Sequence, residues 1–199
     1  MPKKNKDLHG NAPDKSNVAL LIIDVINDLG FDTGPQLLPA ALVMAKHIAA
    51  LKARAVKAGV PVIYANDNFG KWRSDFSAQV RHSLKPGIRG APIVKMLIPE
   101  PRDYFVIKPK HSGFFATPLE LLLNYLAVKN LIITGIAADN CVLFTANDAY
   151  IRDFNLWVPG DCVASVSKRN TLLALKQMQQ LLKANINPSS KINFKKLKA

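Results

Sequence analysis

Along the chain, short runs of consecutive apolar residues alternate with longer stretches in which apolar positions recur every three or four residues. The runs VALLIID (18–24), PVIYAND (61–67), YFVIK (104–108) and NLIITGI (130–136) are too short for helices. They are also too continuously apolar for a sheet with one wet face, so they predict strands buried on both sides. Between them, PQLLPAALVMAKHIAALKARAVKAG (35–59) reads as a long helix stopped at Gly59. TPLELLLNYLAVK (117–129) reads as a helix with Thr117 as N-cap and Pro118 in the first helical position. A further helix is expected over about 140–153, a short strand at LWVP (156–159), an ordered turn or edge at DCVAS (161–165), and a last helix at 168–184. This alternation predicts the α/β class: a mostly parallel sheet with helices on both faces.

The pattern covers one unit, residues 17–183, and fades at both ends. Segment 1–16 is polar and lacks the apolar stretch of a signal peptide, and 184–199, with Lys183 just before it, carries five lysines and no acid. Both read as flexible basic segments, and they hold much of the net charge of +13. With no RNA-binding signature, zinc-finger spacing or basic heptads, specific nucleic-acid binding is not expected. No apolar run reaches the roughly 20 residues that span a bilayer. Two cysteines are too few for a disulfide framework, so a cytoplasmic protein with free thiols is the expectation.

In open α/β sheets the ligand crevice lies beyond the carboxyl ends of the strands. There the sequence carries an acid, Asp24, after the first run; an amine, Lys108, at the end of YFVIK; and a thiol, Cys141, in the AADNC turn after NLIITGI. A free thiol has a pKa of about 8.5 and must become a thiolate to attack. A helix N-terminus and the Lys108 ammonium are expected to lower that value. Asp24 is positioned to take the thiol proton and return it to a leaving amine. Backbone N–H groups of Ala137 and Cys141 are candidates to hold an oxyanion, worth about 3 to 4 kcal/mol per donor. His111 offers a rival Cys–His pair. Cys162, in PGDCVAS, reads as packing, and His9 and His47 carry no suspicious context.

Three motifs, LLIIDVIND with Asp24, VIKPKHSGFFAT with Lys108, and ITGIAADNCVLFTANDAY with Cys141, resemble those of the isochorismatase-like cysteine hydrolases, a group that includes nicotinamidases and N-carbamoylsarcosine amidases. The resemblance implies a Rossmann-like three-layer fold with a six-stranded sheet, an Asp24–Lys108–Cys141 triad, a cis peptide between Ile136 and Ala137, and a dimer or tetramer. It also implies hydrolysis of a small-molecule amide or related C–N bond through a thioester. No G-x-G-x-x-G follows the first strand, so no dinucleotide, and no other cofactor, is expected.

Nicotinamidases of the family use an Asp-x-His pair and a further histidine to bind a metal; here the corresponding segment reads YANDNFGKWRSDF. Asp67 stands where a ligand would, but the histidines are missing and His82 lies apart, so no metal is expected. A metal-assisted nicotinamidase and a non-catalytic binding protein are the alternatives. Candidates for binding the substrate are Asn27, Phe31, Asn66, Asn68, Phe69, Trp72 and Ser112, with Lys71 and Arg73 as possible grips for a carboxylate. Trp72 and Phe76 have a second reading, as anchors of their loop to the core.

Overall fold

The structure, a computed structural model, describes residues 15–198. Six strands form one parallel sheet: β1 Val18–Ile23, β2 Val62–Asp67, β3 Tyr104–Lys108, β4 Asn130–Ile136, β5 Asn155–Trp157 and β6 Val163–Ala164. The order is β3-β2-β1-β4, and β4 shares its outer edge between two short strands. β5 pairs with its first half, through Asn130 to Ile132, and β6 with its last two residues, Gly135 and Ile136. β1, at the centre, is buried along its whole length.

Strand alternation divides the core in two. Ala19, Leu21 and Ile23 point to the layer containing α4 (Leu119–Leu126), α5 (Leu143–Ile151) and α6 (Lys168–Leu182). Val18, Leu20 and Ile22 point to the layer of α1 (Gly34–Lys57) and α3 (Ala91–Met96). In α1 the buried positions Leu37, Ala41, Met44, Ala45, Ile48 and Leu51 make the apolar stripe that the sequence spacing predicts. The three-layer α/β expectation thus matches the structure, and the elements run as predicted apart from a few ends. The helix expected from Pro118 starts one residue later, at Leu119, with Pro118 in the cap position and the Thr117 hydroxyl accepting from Leu119 N–H.

Two short helices were not predicted: α3, and α2 at Phe76–Ser83, which opens on an Asp75 cap accepting from Ala78 N–H at 2.6 Å. The C-terminal segment is a correction. Residues 184–198, expected to be flexible, pack against the domain. Asn185 bridges to Trp157, Ser189 donates to Asp161 from its N–H and hydroxyl at 2.8 Å each, and a last helix, α7, spans Phe194–Lys198. Arg54 holds the Ser189 and Ile192 carbonyls and lies over the Phe194 ring. The lysines there face water while Ile192 and Phe194 are buried, an in-out pattern that overall composition hides. Of the predicted flexible segment 1–16, residues 1–14 lie outside the described residues; Ser16 is buried and bonded to Leu126. Among the described residues no helix is long and apolar enough to cross a membrane.

Candidate active site

The three chemical groups read at strand ends meet at the carboxyl edge of the sheet. Asp24 follows β1 with a left-handed backbone, φ 53°, which turns its carboxylate in over the strand ends. Its Oδ1 accepts the Asp67 N–H at 2.7 Å, and its Oδ2 lies 2.8 Å from Lys108 Nζ. Lys108, the last residue of β3, is fully buried, which an ammonium tolerates only when well paired. It has three partners: Asp24, Asp67 Oδ2 at 3.2 Å and Cys141 Sγ at 3.6 Å. Beside burial, the Asp24 carboxylate also acts on the Cys141 thiol through its charge, which raises the thiol pKa.

Cys141 is held by an unusual turn. The Ile136–Ala137 peptide is cis, as the family resemblance implied. A π-helical turn, Ala138–Val142, then precedes α5, in place of the ordinary first helical turn that the sequence suggests. Such wide turns leave the regular backbone ladder and recur at functional sites. Here the Ala137 carbonyl accepts from both Asn140 N–H (3.0 Å) and Val142 N–H (3.1 Å). The Ala137 N–H donates to no group among the described residues, so it is free for a ligand. Side chains brace the turn on two sides. Asp139 accepts from the Ser165 hydroxyl at 2.6 Å and from Asn170 at 2.9 Å. Thr145 donates to the Cys141 carbonyl at 2.6 Å and accepts from Gly113 N–H at 2.9 Å, tying the loop after β3 to the cysteine turn.

The electrostatics correct one expectation. Burial, then the Asp24 charge, push the Cys141 thiol up to about 12, and the pull of Lys108 the other way is too weak to offset them. Burial also raises Asp24, against the opposing attraction of Lys108. Burial lowers Lys108, but Asp24, Cys141 and Asp67 outweigh it and its net shift is upward. With burial and Asp24 outweighing Lys108, Cys141 sits as a protonated thiol beside the Asp24–Lys108 contact, not as the preformed thiolate read from a helix N-terminus and a lysine. Cys162 is fully buried, as its packing role requires.

Asp24 and Cys141, with Lys108 behind them, face a cavity of about 600 Å³. Of the sequence-predicted binding residues, Asn27, Phe31 and Phe69 line it, as do Ala137 and two of the three residues of the expected triad, Asp24 and Cys141. The others do not. Strand alternation sends Asn66 to the Tyr64 side, where it bonds the Ile26 backbone at both ends and Gln79, so its amide is used up inside the fold. Asn68 caps its own loop through Gly70 N–H, and Ser112 accepts from Phe114 N–H. Trp72 is 77% exposed, so it neither lines the cavity nor anchors its loop; Phe76 does the anchoring, stacked on Phe105 at 4.8 Å. Lys71 lines a separate, smaller cleft beside Asp28 and His82.

Sequence reading missed Thr33, Leu37, Asp139, Asn140 and Val166, which also line the cavity. Only Asp139 and Asn140 left a signal, as polar neighbours of the cysteine. His111 lines the cavity too, but it stacks on Phe144 at 5.2 Å, whereas the group that shares Lys108 with Cys141 is Asp24. Asp67 serves the ion pair. Its Oδ2 faces Lys108 and its Oδ1 accepts Phe69 N–H at 2.7 Å, so both oxygens are engaged. His82 pairs with Asp28 at 3.0 Å, and no group of three or more His, Cys, Asp or Glu suited to a metal occurs among the described residues. These residues do not supply the Asp-x-His pair and further histidine that the family resemblance would require of a metal site.

Comparison with known proteins gives concordant matches. Residues 18–187 match the family model for the isochorismatase domain. The uncharacterized isochorismatase family protein YaaI of Bacillus subtilis (strain 168) is 42% identical over 178 residues, covering 89% of this chain and 97% of that protein. Among solved structures, pyrazinamidase/nicotinamidase from Streptococcus mutans UA159 matches with a TM-score of 0.65 at 29% identity, over 85% of this chain and 99% of that one. N-carbamoylsarcosine amidase from Thermoplasma acidophilum matches with a TM-score of 0.68 at 23% identity, over 89% of this chain and 99% of that one, a likeness of fold.

Proposed function

The chain belongs to the isochorismatase family of hydrolases, and from that premise we propose that it is a cysteine-dependent amidohydrolase acting on a carboxamide or related C–N bond of a small molecule. The observation that carries this reading is the convergence of the Cys141 thiol and the Asp24 carboxylate on Lys108 Nζ, at 3.6 and 2.8 Å, beside the cavity that Asp24 and Cys141 line. The amidase and nicotinamidase names of the relatives agree with it.

In this mechanism Asp24 takes the thiol proton as sulfur attacks the amide carbonyl, forming the C–S bond of a tetrahedral intermediate. Moving one proton from Cys141 to Asp24 leaves the net charge beside Lys108 unchanged, so the step needs no new counter-ion. The oxyanion is received by the N–H of Ala137, with that of Cys141 as second donor. Protonated Asp24 then hands its proton to the nitrogen, the C–N bond breaks, and ammonia or an amine leaves. Water enters, gives a proton to Asp24 and attacks the thioester, and the proton returns to sulfur as the acid departs. Lys108 stays charged throughout and fixes the Asp24 carboxylate in line with the sulfur.

The test is partitioning of the acyl group. With nicotinamide and other small carboxamides as trial substrates, added hydroxylamine is expected to convert the acid product into the hydroxamate. An acid product unaffected by hydroxylamine, at an unchanged rate of ammonia release, would mean direct attack by water and would end the thioester mechanism.

A further inference from the structure

The charges around the cavity select among amides. Three carboxylates line it, Asp24, Asp67 and Asp139, against no arginine or lysine and a single imidazole, His111, which is stacked on Phe144 at 5.2 Å. The nearest cation, Lys108, sits behind the lining, fully buried, and is already shared by Asp24 and Asp67. Asp139 is bonded to the neutral partners Ser165 and Asn170, which leave its charge uncompensated. The other basic residues near in sequence, Lys71, Lys110, Lys168 and Arg169, do not line this cavity, and Lys71 faces the neighbouring cleft of Asp28. A substrate carboxylate would therefore enter a negative recess and find no guanidinium or ammonium to receive it. The remaining walls suit a flat apolar body: Phe31 and Phe69, each 42% exposed, stand at the rim, with Leu37, Ile136 and Val166 beside them. The polar side chain of Asn140, next to the nucleophile, is placed to meet the amide end.

We propose that this site takes uncharged aromatic carboxamides and discriminates against amides that carry a carboxylate. The inference names the substrate class of the reaction proposed above and rests on that reading for turnover, but it makes a claim about binding that holds separately. The comparison is between benzamide and 3-carbamoylbenzoate, which share ring and amide and differ by one carboxylate.

Binding to the Cys141→Ala protein, followed calorimetrically, is expected to favour benzamide by about tenfold or more. In wild-type enzyme kcat/KM is expected to differ in the same direction. Val166→Lys places a cation at a wall position that is 38% exposed, and it should narrow the gap by strengthening binding of the carboxylate. Equal or tighter binding of 3-carbamoylbenzoate overturns the proposal, as does binding of neither amide at millimolar concentration. Preferential binding of benzamide with no turnover by wild-type enzyme would uphold the charge selection and sink the hydrolytic reading instead.

Discussion

At the scale of single residues, the site is a contest between burial and charge, and Asp24 is where the contest is decided. Its negative charge raises the Cys141 pKa, while its basicity is what the proposed attack needs. Asp24→Asn is therefore expected to move two observables in opposite directions. Amide turnover should fall by about 10²- to 10⁴-fold with loss of the general base, while alkylation of Cys141 by iodoacetamide at neutral pH should speed up as the thiol pKa drops. Mass spectrometry that locates the alkylated cysteine reads the second effect. Turnover and alkylation falling together would contradict the assignment. In the wild type, alkylation should be slower than for a free thiol at pH 7 and rise toward pH 12. The sequence made Asp24, Lys108 and Cys141 legible because each ends a strand, where chemistry collects. It could not reveal the thiol's environment, since burial and the placement of Asp67 on Lys108 depend on chain segments far apart. Nor did closeness in sequence say which way Asn66 or Ser112 points.

At the scale of elements, the site depends on how tightly β4 lies against β1 just before the cysteine turn. Gly135 has φ 114°, and a Cβ there would collide with the Ile23 carbonyl oxygen, one residue before Asp24. Gly135→Ala combines an unfavourable backbone with a backbone clash, so it should lower stability by about 1 to 3 kcal/mol or more. Because the same shift separates Asp24 from Cys141, surviving folded protein should lose turnover as well. Chemical denaturation with activity measured on the folded fraction checks both effects. An unchanged midpoint and rate would show that β4 can move away at no cost. The strands themselves were legible because a parallel sheet buried on both faces demands continuous apolar runs. α2 and α3 were not, because helices of 8 and 6 residues are too short to display a period. The π-helical turn leaves no compositional mark at all.

For the whole molecule, several buried groups prefer to stay protonated, and their sum predicts alkaline sensitivity. Cys141 and Cys162 are both pushed up from the usual thiol range to about 12 in the fold, mainly through burial. Tyr64 is raised above 10.0 by burial and by Asp103 and Glu100, and Lys108 is raised above 10.5 by its acidic neighbours, despite burial acting against it. A group whose folded pKa lies above its unfolded value contributes stability that is complete below the unfolded value and lost as pH rises through the folded one. These four groups therefore make stability decline as pH rises from about 9 toward 12. Thermal melts across this range test it, and a melting temperature that stays flat to pH 11 would contradict the shifts. Packing of the C-terminal segment belongs to this scale too. Its lysines dominated the sequence reading, whereas the three-dimensional partners Asp161, Arg54 and Trp157 come from elsewhere in the chain.

The central claim is that Cys141 is the nucleophile. Its most direct test is ammonia release from small carboxamides by wild-type protein and by Cys141→Ala, with circular dichroism showing that the variant is folded. The account predicts release by the wild type and a loss of at least about a thousandfold in the variant. A folded Cys141→Ala protein that releases ammonia at the wild-type rate would contradict it.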